Sequence, residues 1–156
     1  MWTAVYIGLI VLVNYGFSVV PLVPFLGEMW PPMSLAVGLI FVVRDFAQRE
    51  IGHQIIVAML VGGILSYFMA DPFVAVASVV AFLISEVVDW AVYTFTNRPL
   101  SQRIVYSSLL ATPIDSTVFL AMIGHLSVTG VAVMTLSKML GAVVVWQILR
   151  KRCGLI

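Results

Sequence analysis

Residues 72–96 read PFVAVASVVAFLISEVVDWAVYTFT, an apolar run that contains two carboxylates, Glu86 and Asp89. A helix that crosses the hydrocarbon core of a bilayer needs about 20 mainly apolar residues. The stretch therefore predicts a transmembrane helix. A charge at the bilayer centre costs about 2.5–3.5 kcal/mol, so we expect the face that carries Glu86 and Asp89 to be turned away from lipid.

The composition of the whole chain agrees with a membrane protein. Of its 156 residues, 62% are hydrophobic and 10% are charged, and the mean hydropathy is +1.13. Soluble domains carry about 25% charged residues, so this chain has too few polar side chains to cover a water-facing surface. The composition argues against a soluble enzyme, and the net charge of +1 argues against nucleic-acid binding. We expect one integral membrane domain over residues 1–156.

Turn signals divide the apolar sequence into six predicted spans. Asp71-Pro72 and Asn97-Arg98-Pro99 are the clearest of these signals. An all-α integral membrane fold with six transmembrane helices follows, and its spans cover about Trp2–Phe25, Pro32–Gly52, Gln54–Ala70, Pro72–Thr96, Ser101–His125 and Val128–Leu149.

The basic residues test the number of spans. Cytoplasmic loops of membrane proteins are enriched in Lys and Arg. With six spans, seven of the eight basic residues fall on one side of the membrane, and both termini are predicted to be cytoplasmic. The seven are Arg44, Arg49, Arg98, Arg103, Arg150, Lys151 and Arg152.

Several ionisable residues fall inside the predicted spans, where they indicate a functional interior. Helical spacing places Glu86, Asp89 and Tyr93 on one face. Asp115 lies in span five and Lys138 lies in span six. Together with Asp45 and Arg44, the acids exceed the bases by two, which a cationic ligand, a ligand rich in hydrogen-bond donors, or protons on buried carboxyls would balance.

Each of these residues also has a structural interpretation. Asp45 could form a surface ion pair with Arg49, four residues later, and we expect Arg44 to extend to the headgroup region. Asp115 follows Pro113, either inside a kinked helix, which we favour, or in the first turn of a new one. Lys138 could form an ion pair with Asp115 or with Asp89, and Tyr93 and Trp90 could stack on a ligand or simply pack. No His or Cys spacing supports a metal site, and no cofactor is expected.

The order of these motifs resembles the VUT family, named for vitamin uptake, whose members include queuosine precursor transporters. The resemblance covers spans two to six. It rests on Asp45, Arg49 and Gly52 at the end of span two, on Glu86-x-x-Asp89, on Asp115-Ser116-Thr117-Val118-Phe119, and on Lys138.

The resemblance implies a fold similar to the substrate-binding subunits of energy-coupling-factor transporters, in a bacterial inner membrane. It implies uptake of a purine-like nucleobase, a 7-deazaguanine such as preQ0 or preQ1. In that case Glu86 and Asp89 would accept the donor edge of the base and Lys138 would balance them. Asp115, Asp45 and Arg49 would complete the polar site or its cytoplasmic gate, and Tyr93 could stack on the ring.

Two other classes of function stay open. The chain could be a substrate-binding subunit that needs separate coupling and ATPase subunits, with the small residues Ala4 and Gly8 as a docking face, or it could act as a homo-oligomer. It could instead be an intramembrane enzyme or an assembly factor. No Ser/His or Cys/His constellation supports chemistry, so we do not expect an enzyme.

Overall fold

A computed structural model describes residues 1–69, 71–96 and 100–153; within them, the side chains of residues 75, 93, 100, 101, 103–105, 145, 146 and 149–153 lie outside the description. The side chain of Tyr93, a predicted ligand-stacking residue, is therefore not described. The α-helices are α1 (Trp2–Val19), α2 (Ser34–Ile51), α3 (Ile55–Met69), α4 (Pro72–Phe95), α5 (Leu100–Met122) and α6 (Val128–Cys153).

The helical, membrane-type character of the chain is confirmed. Among the described residues, three helical segments are long and apolar enough to cross a membrane, namely Trp2–Val19, Ser34–Met69 and Pro72–Val92. Within the second segment, Gly52 ends α2 with φ 61°, a left-handed conformation that glycine adopts at little cost. A short 3₁₀ helix, Gly52–Gln54, then leads into α3, and both α2 and α3 pack against α1.

The first predicted span is wrong at its end. We expected it to continue to Phe25, but α1 stops at Val19 and the next residues are extended. The chain then forms a hairpin of two antiparallel strands, β1 (Val23–Phe25) and β2 (Glu28–Trp30). Pro21 and Pro24 lack the N–H groups that would continue a helix.

The outside of the bundle is more apolar, and its inside more charged, than is usual in a water-soluble protein. Large apolar side chains cover the outside, while the buried side chains include six charged residues on α2, α4, α5 and α6. This distribution suits a chain whose outer surface faces lipid and whose interior holds charged side chains beside its hydrophobic core. The exposed apolar residues include Leu12, Val57, Ile64, Phe68, Leu109, Leu136 and Leu140; the six buried charged residues among those described are Arg44, Asp45, Glu86, Asp89, Asp115 and Lys138.

Helices α2 and α6 approach each other closely at two glycines. A Cβ on Gly38 would overlap the carbonyl oxygen of Lys138, and a Cβ on Gly141 would overlap that of Leu35. Small residues permit such close helix contacts. This contact sets the position of Lys138 relative to α2.

Helix α5 continues through Pro113, so Asp115 lies inside a long helix. The favoured position of Asp115 is confirmed, and the alternative in which a new helix begins at Pro113 is wrong. The Thr112 hydroxyl donates to the Ser108 carbonyl, and the Thr117 hydroxyl donates to the Pro113 carbonyl at 2.7 Å. These side-chain bonds accompany the interruption that proline introduces into the backbone ladder.

Candidate functional site

A group of charged side chains surrounds Arg44 in the interior of the bundle. Its Nη1 lies 2.8 Å from Oδ1 of Asp45 and 3.0 Å from Oδ2 of Asp89, and its Nε lies 3.1 Å from Oε2 of Glu86. The Tyr6 hydroxyl donates to the same Glu86 oxygen at 2.7 Å. We call these five residues the arginine cluster. It joins α1, α2 and α4.

The position of Arg44 corrects two predictions. Arg44 does not extend to the headgroup region; its side chain is 0% exposed because the second half of α2 is enclosed by its neighbours. Asp45 is likewise buried and pairs with Arg44, so the predicted surface pair between Asp45 and Arg49 is wrong. Arg49 is exposed. The planar guanidinium reaches three carboxylates at once, which a lysine ammonium does less well.

Glu86 and Asp89 share a buried face, as predicted from their spacing. Their charge partner differs from the expected one, because Arg44 and not Lys138 contacts them. Ser107 on α5 also hydrogen-bonds to Asp89. Both acidic side chains are therefore engaged within the protein.

Lys138 forms an ion pair with Asp115, one of its two predicted partners. Lys138 is 1% exposed and Asp115 is 5% exposed, so the pair is enclosed between α5 and α6. Burying two charged groups carries a large desolvation penalty. A buried ion pair such as Lys138–Asp115 therefore indicates either a close contact that offsets this penalty or a role in function.

A cavity of about 20 Å³ lies beside this ion pair. Helices α1, α2, α4, α5 and α6 all contribute to its wall. Its polar lining consists of Asn14, Ser78, Asp115 and Lys138, and its apolar lining consists of Val13, Phe17, Val37, Ile40, Phe82, Phe119 and Met134. In this conformation the cavity has room for about one water molecule.

The arginine cluster lies next to the cavity but does not line it. Phe82 lines the cavity and Glu86 follows it four residues later on α4; Ile40 and Arg44 have the same relationship on α2. Four residues of helix correspond to about 6 Å along the axis. Five of the seven predicted site residues therefore form two neighbouring groups, Asp115 with Lys138 and Asp45 with Glu86 and Asp89, while Arg49 lies outside both.

No family model, curated protein or solved structure matches the chain. The features of the chain that bear on its function are its sequence motifs and the two polar groups in the bundle.

Asn14 is a site residue that the sequence analysis missed. Its amide donates to the Ser66 hydroxyl at 3.0 Å and its carbonyl accepts from the Ser78 hydroxyl, so that α1, α3 and α4 fix its orientation toward the cavity. The sequence did contain a signal for Asn14, because an amide side chain within an apolar span such as α1 is rarely turned toward lipid. Tyr6 was missed as well.

Trp90, which could have stacked on a ligand, and the surface residue Glu50 both lie away from the cavity. Trp90 is in contact with His53 through an Nε1–Nδ1 hydrogen bond of 3.1 Å, and it does not line the cavity. Glu50 is at the surface, where it accepts from the Thr3 backbone and hydroxyl at 3.0 Å and contacts the N-terminal amine. Within the described residues, no group of three or more His, Cys, Asp or Glu side chains is arranged to hold a metal ion.

Proposed function

We propose that the chain is a membrane transporter for uptake of a queuosine precursor, a 7-deazaguanine such as preQ0 or preQ1, without an ATPase of its own. One observation carries the transport part of this proposal: a buried Lys138–Asp115 pair borders a central cavity in a bundle whose outer surface is apolar. Ionisable residues in such a position are a mark of substrate pathways.

A six-span arrangement is part of the proposal. Helices α5 and α6 contain 23 and 26 residues, and at 1.5 Å per residue each exceeds the hydrocarbon thickness of about 30 Å. Their buried charges, Asp115 and Lys138, point inward. Gly52 separates α2 from α3, which supports two spans in the segment Ser34–Met69. The distribution of Lys and Arg then favours cytoplasmic termini, and the resemblance to the VUT family implies a bacterial inner membrane.

The substrate class comes from the resemblance to the VUT family, and the cavity supplies suitable partners for it. Asp115 would accept the adjacent N–H and NH₂ groups of a guanine-type edge, a charge-assisted bidentate contact. Lys138 and Asn14 would contact ring acceptors or the carbonyl, while Phe17, Phe82 and Phe119 would pack against the ring. This assignment moves the principal ligand contact from Glu86 and Asp89 to Asp115.

Binding would require the bundle to open. A bicyclic base is far larger than the present cavity of about 20 Å³. The arginine cluster ties α1, α2 and α4 together about one turn further along the bundle, toward the end where Arg49 lies. We assign this cluster as the cytoplasmic gate, which separates the cavity from the cytoplasm in the conformation described.

A substrate-binding subunit of an energy-coupling-factor transporter is the second candidate. The observation that favours it is an exposed small-residue face on α1, with Ala4 and Gly8 one turn apart and no atom within 4 Å of a Cβ at Gly8. A partner helix could approach closely there. Transport by the purified chain alone in liposomes would favour the first candidate, and binding without transport would favour the second.

Ligand-dependent thermal stabilisation of the purified chain tests the proposal. The probes are preQ0, preQ1, guanine, queuine and several water-soluble vitamins. A ligand that binds only the folded state raises the apparent stability by about 2.7 kcal/mol at 100 times its Kd. We expect a deazaguanine to do so in the wild type and in Glu28→Gln, a control outside the cavity, but not in Asp115→Asn. Stabilisation by a vitamin alone would overturn the substrate and keep the binding function.

A further inference from the structure

The arginine cluster contains more acid than base. Among the described side chains it holds three carboxyl groups and one guanidinium, all at most 2% exposed. Buried ions are stable only when their charges are compensated. One guanidinium compensates one carboxylate, so the remaining acidic charge requires protons or another cation.

Apart from Asp89, which contacts both Arg44 and Ser107, the cluster has two carboxyl oxygens available for a proton. Oε1 of Glu86 and Oδ2 of Asp45 are buried and have no hydrogen-bond partner among the described residues. The other oxygen of each group already accepts from Arg44, and that of Glu86 also accepts from Tyr6. A buried oxygen without a partner is unfavourable, and protonation removes the charge that makes its desolvation severe.

We propose that the arginine cluster is a proton-binding site, in which one exchangeable proton resides on Glu86 Oε1 or Asp45 Oδ2. On loading, a proton from water forms an O–H bond with a carboxylate, and on release the same bond breaks; no electrons are transferred. The groups that face this site are Tyr6 from α1, Arg44 and Asp45 from α2, Glu86 and Asp89 from α4, and Ser107 from α5.

The location of the proton site suggests what it controls. Protonation of Glu86 weakens its attraction to Arg44 and therefore the tie between α2 and α4. These helices also line the cavity one turn away, at Ile40 and Phe82. The proton would thus open or close the cytoplasmic side of the cavity and be carried together with the ligand. This coupling, unlike the proton site itself, rests on the proposed transport function.

Infrared spectroscopy of the lipid-reconstituted chain tests the proton site without any ligand. We expect the wild type and Glu28→Gln to show the C=O stretching band of a protonated carboxyl group at neutral pH, and we expect Glu86→Gln or Asp45→Asn to lose it. Measuring both variants keeps the test valid if one of them does not fold. Absence of the band in the wild type at every pH at which it stays folded, or its persistence in both variants, would overturn the proposal.

Uptake into proteoliposomes with an acidic exterior and a clamped membrane potential tests the coupling. For one proton carried with an uncharged ligand, we expect the wild type to accumulate the ligand about tenfold per pH unit. Glu86→Gln should only equilibrate it. If the wild type only equilibrates the ligand, whatever the pH gradient, then the proton coupling is refuted but the transport function is not. A wild type that neither binds nor transports a deazaguanine would refute the proposed function, and the infrared band would still decide the proton site.

Discussion

Arg44 and Glu86 are 42 residues apart in the chain, yet Nε of Arg44 lies 3.1 Å from Oε2 of Glu86. The contact crosses from α2 to α4, and the same guanidinium also reaches Asp89 on α4. Breaking a buried ion pair by removing one partner is far more damaging than its net contribution suggests, because a buried charge is left without compensation.

Removal of the guanidinium should therefore destabilise the fold strongly. In Arg44→Met the three carboxyl groups of the arginine cluster lose the cation that contacts all of them. We expect the free energy of unfolding to fall by about 3–5 kcal/mol. The measurement is denaturant- or heat-induced unfolding of the purified chain in detergent.

Arg49→Met is the matched control, because Arg49 lies on the same helix and is exposed. Its expected effect is within about 0.5 kcal/mol. The double variant Arg44→Met with Glu86→Gln should be less destabilised than the sum of the two single variants, since it removes both partners of one contact. Equal stability of Arg44→Met and Arg49→Met would show that the cluster is not held by Arg44.

The burial of Glu86 and Asp89 could be predicted from sequence, but their partner could not. A spacing of three residues places both on one helical face, and burial follows from the apolar surroundings. Arg44 lies in the part of α2 nearest its end, where a long side chain could equally reach the headgroups. Only the placement of α4 within reach of the Arg44 side chain decides between these positions, and that placement is set by contacts distant in sequence.

Other features of the structure were predicted or missed for reasons that lie partly in the local sequence and partly in contacts distant in sequence. The Lys138–Asp115 pair was among the predicted alternatives, because buried opposite charges in adjacent spans have few other partners. The hairpin was missed although it turns at Leu26 and Gly27, with φ of 52° and 81°, since strands of three residues carry little periodic signal. Asn14 was missed because a single amide has no spacing to detect.

Lys138→Met should separate the structural role of the ion pair from its role in binding. The variant leaves Asp115 buried without its cation, and we expect the free energy of unfolding to fall by about 3–5 kcal/mol. In Lys138→Met with Asp115→Asn the charges are gone from both sides, so most of the stability should return. Ligand-induced stabilisation should not return. A double variant that still binds a deazaguanine would remove the pair from the proposed site.

Because α2 and α6 are in close contact at Gly38, we expect one methyl group added at this position to lower the stability of the protein. Alanine normally stabilises a helix relative to glycine by about 0.5–1 kcal/mol. In Gly38→Ala the new Cβ would overlap the backbone of α6, and such overpacking typically costs about 1–3 kcal/mol. We expect a lower midpoint of thermal unfolding and weaker ligand binding, since Lys138 would be displaced.

Gly8→Ala provides the control for this substitution. Gly8 also lies in a helix, but its Cβ would meet no atom within 4 Å, so the variant should be as stable as the wild type or slightly more stable. If Gly38→Ala behaves like Gly8→Ala, then the two helices are not in close backbone contact. Gly141→Ala should match Gly38→Ala, because its Cβ would overlap the other side of the same contact.

The six-span arrangement predicts which side of the membrane each connection faces. Cys153 is the single cysteine of the chain, so a Cys153→Ser background permits labelling at one introduced cysteine at a time. With cytoplasmic termini, a membrane-impermeant maleimide should label Glu28→Cys in the hairpin and Leu126→Cys before α6 in intact spheroplasts. Gln54→Cys, between α2 and α3, should react only after the membrane is permeabilised. Labelling of Gln54→Cys in intact spheroplasts would mean that α2 does not cross the membrane in the proposed direction, and the arginine cluster could then not be a cytoplasmic gate.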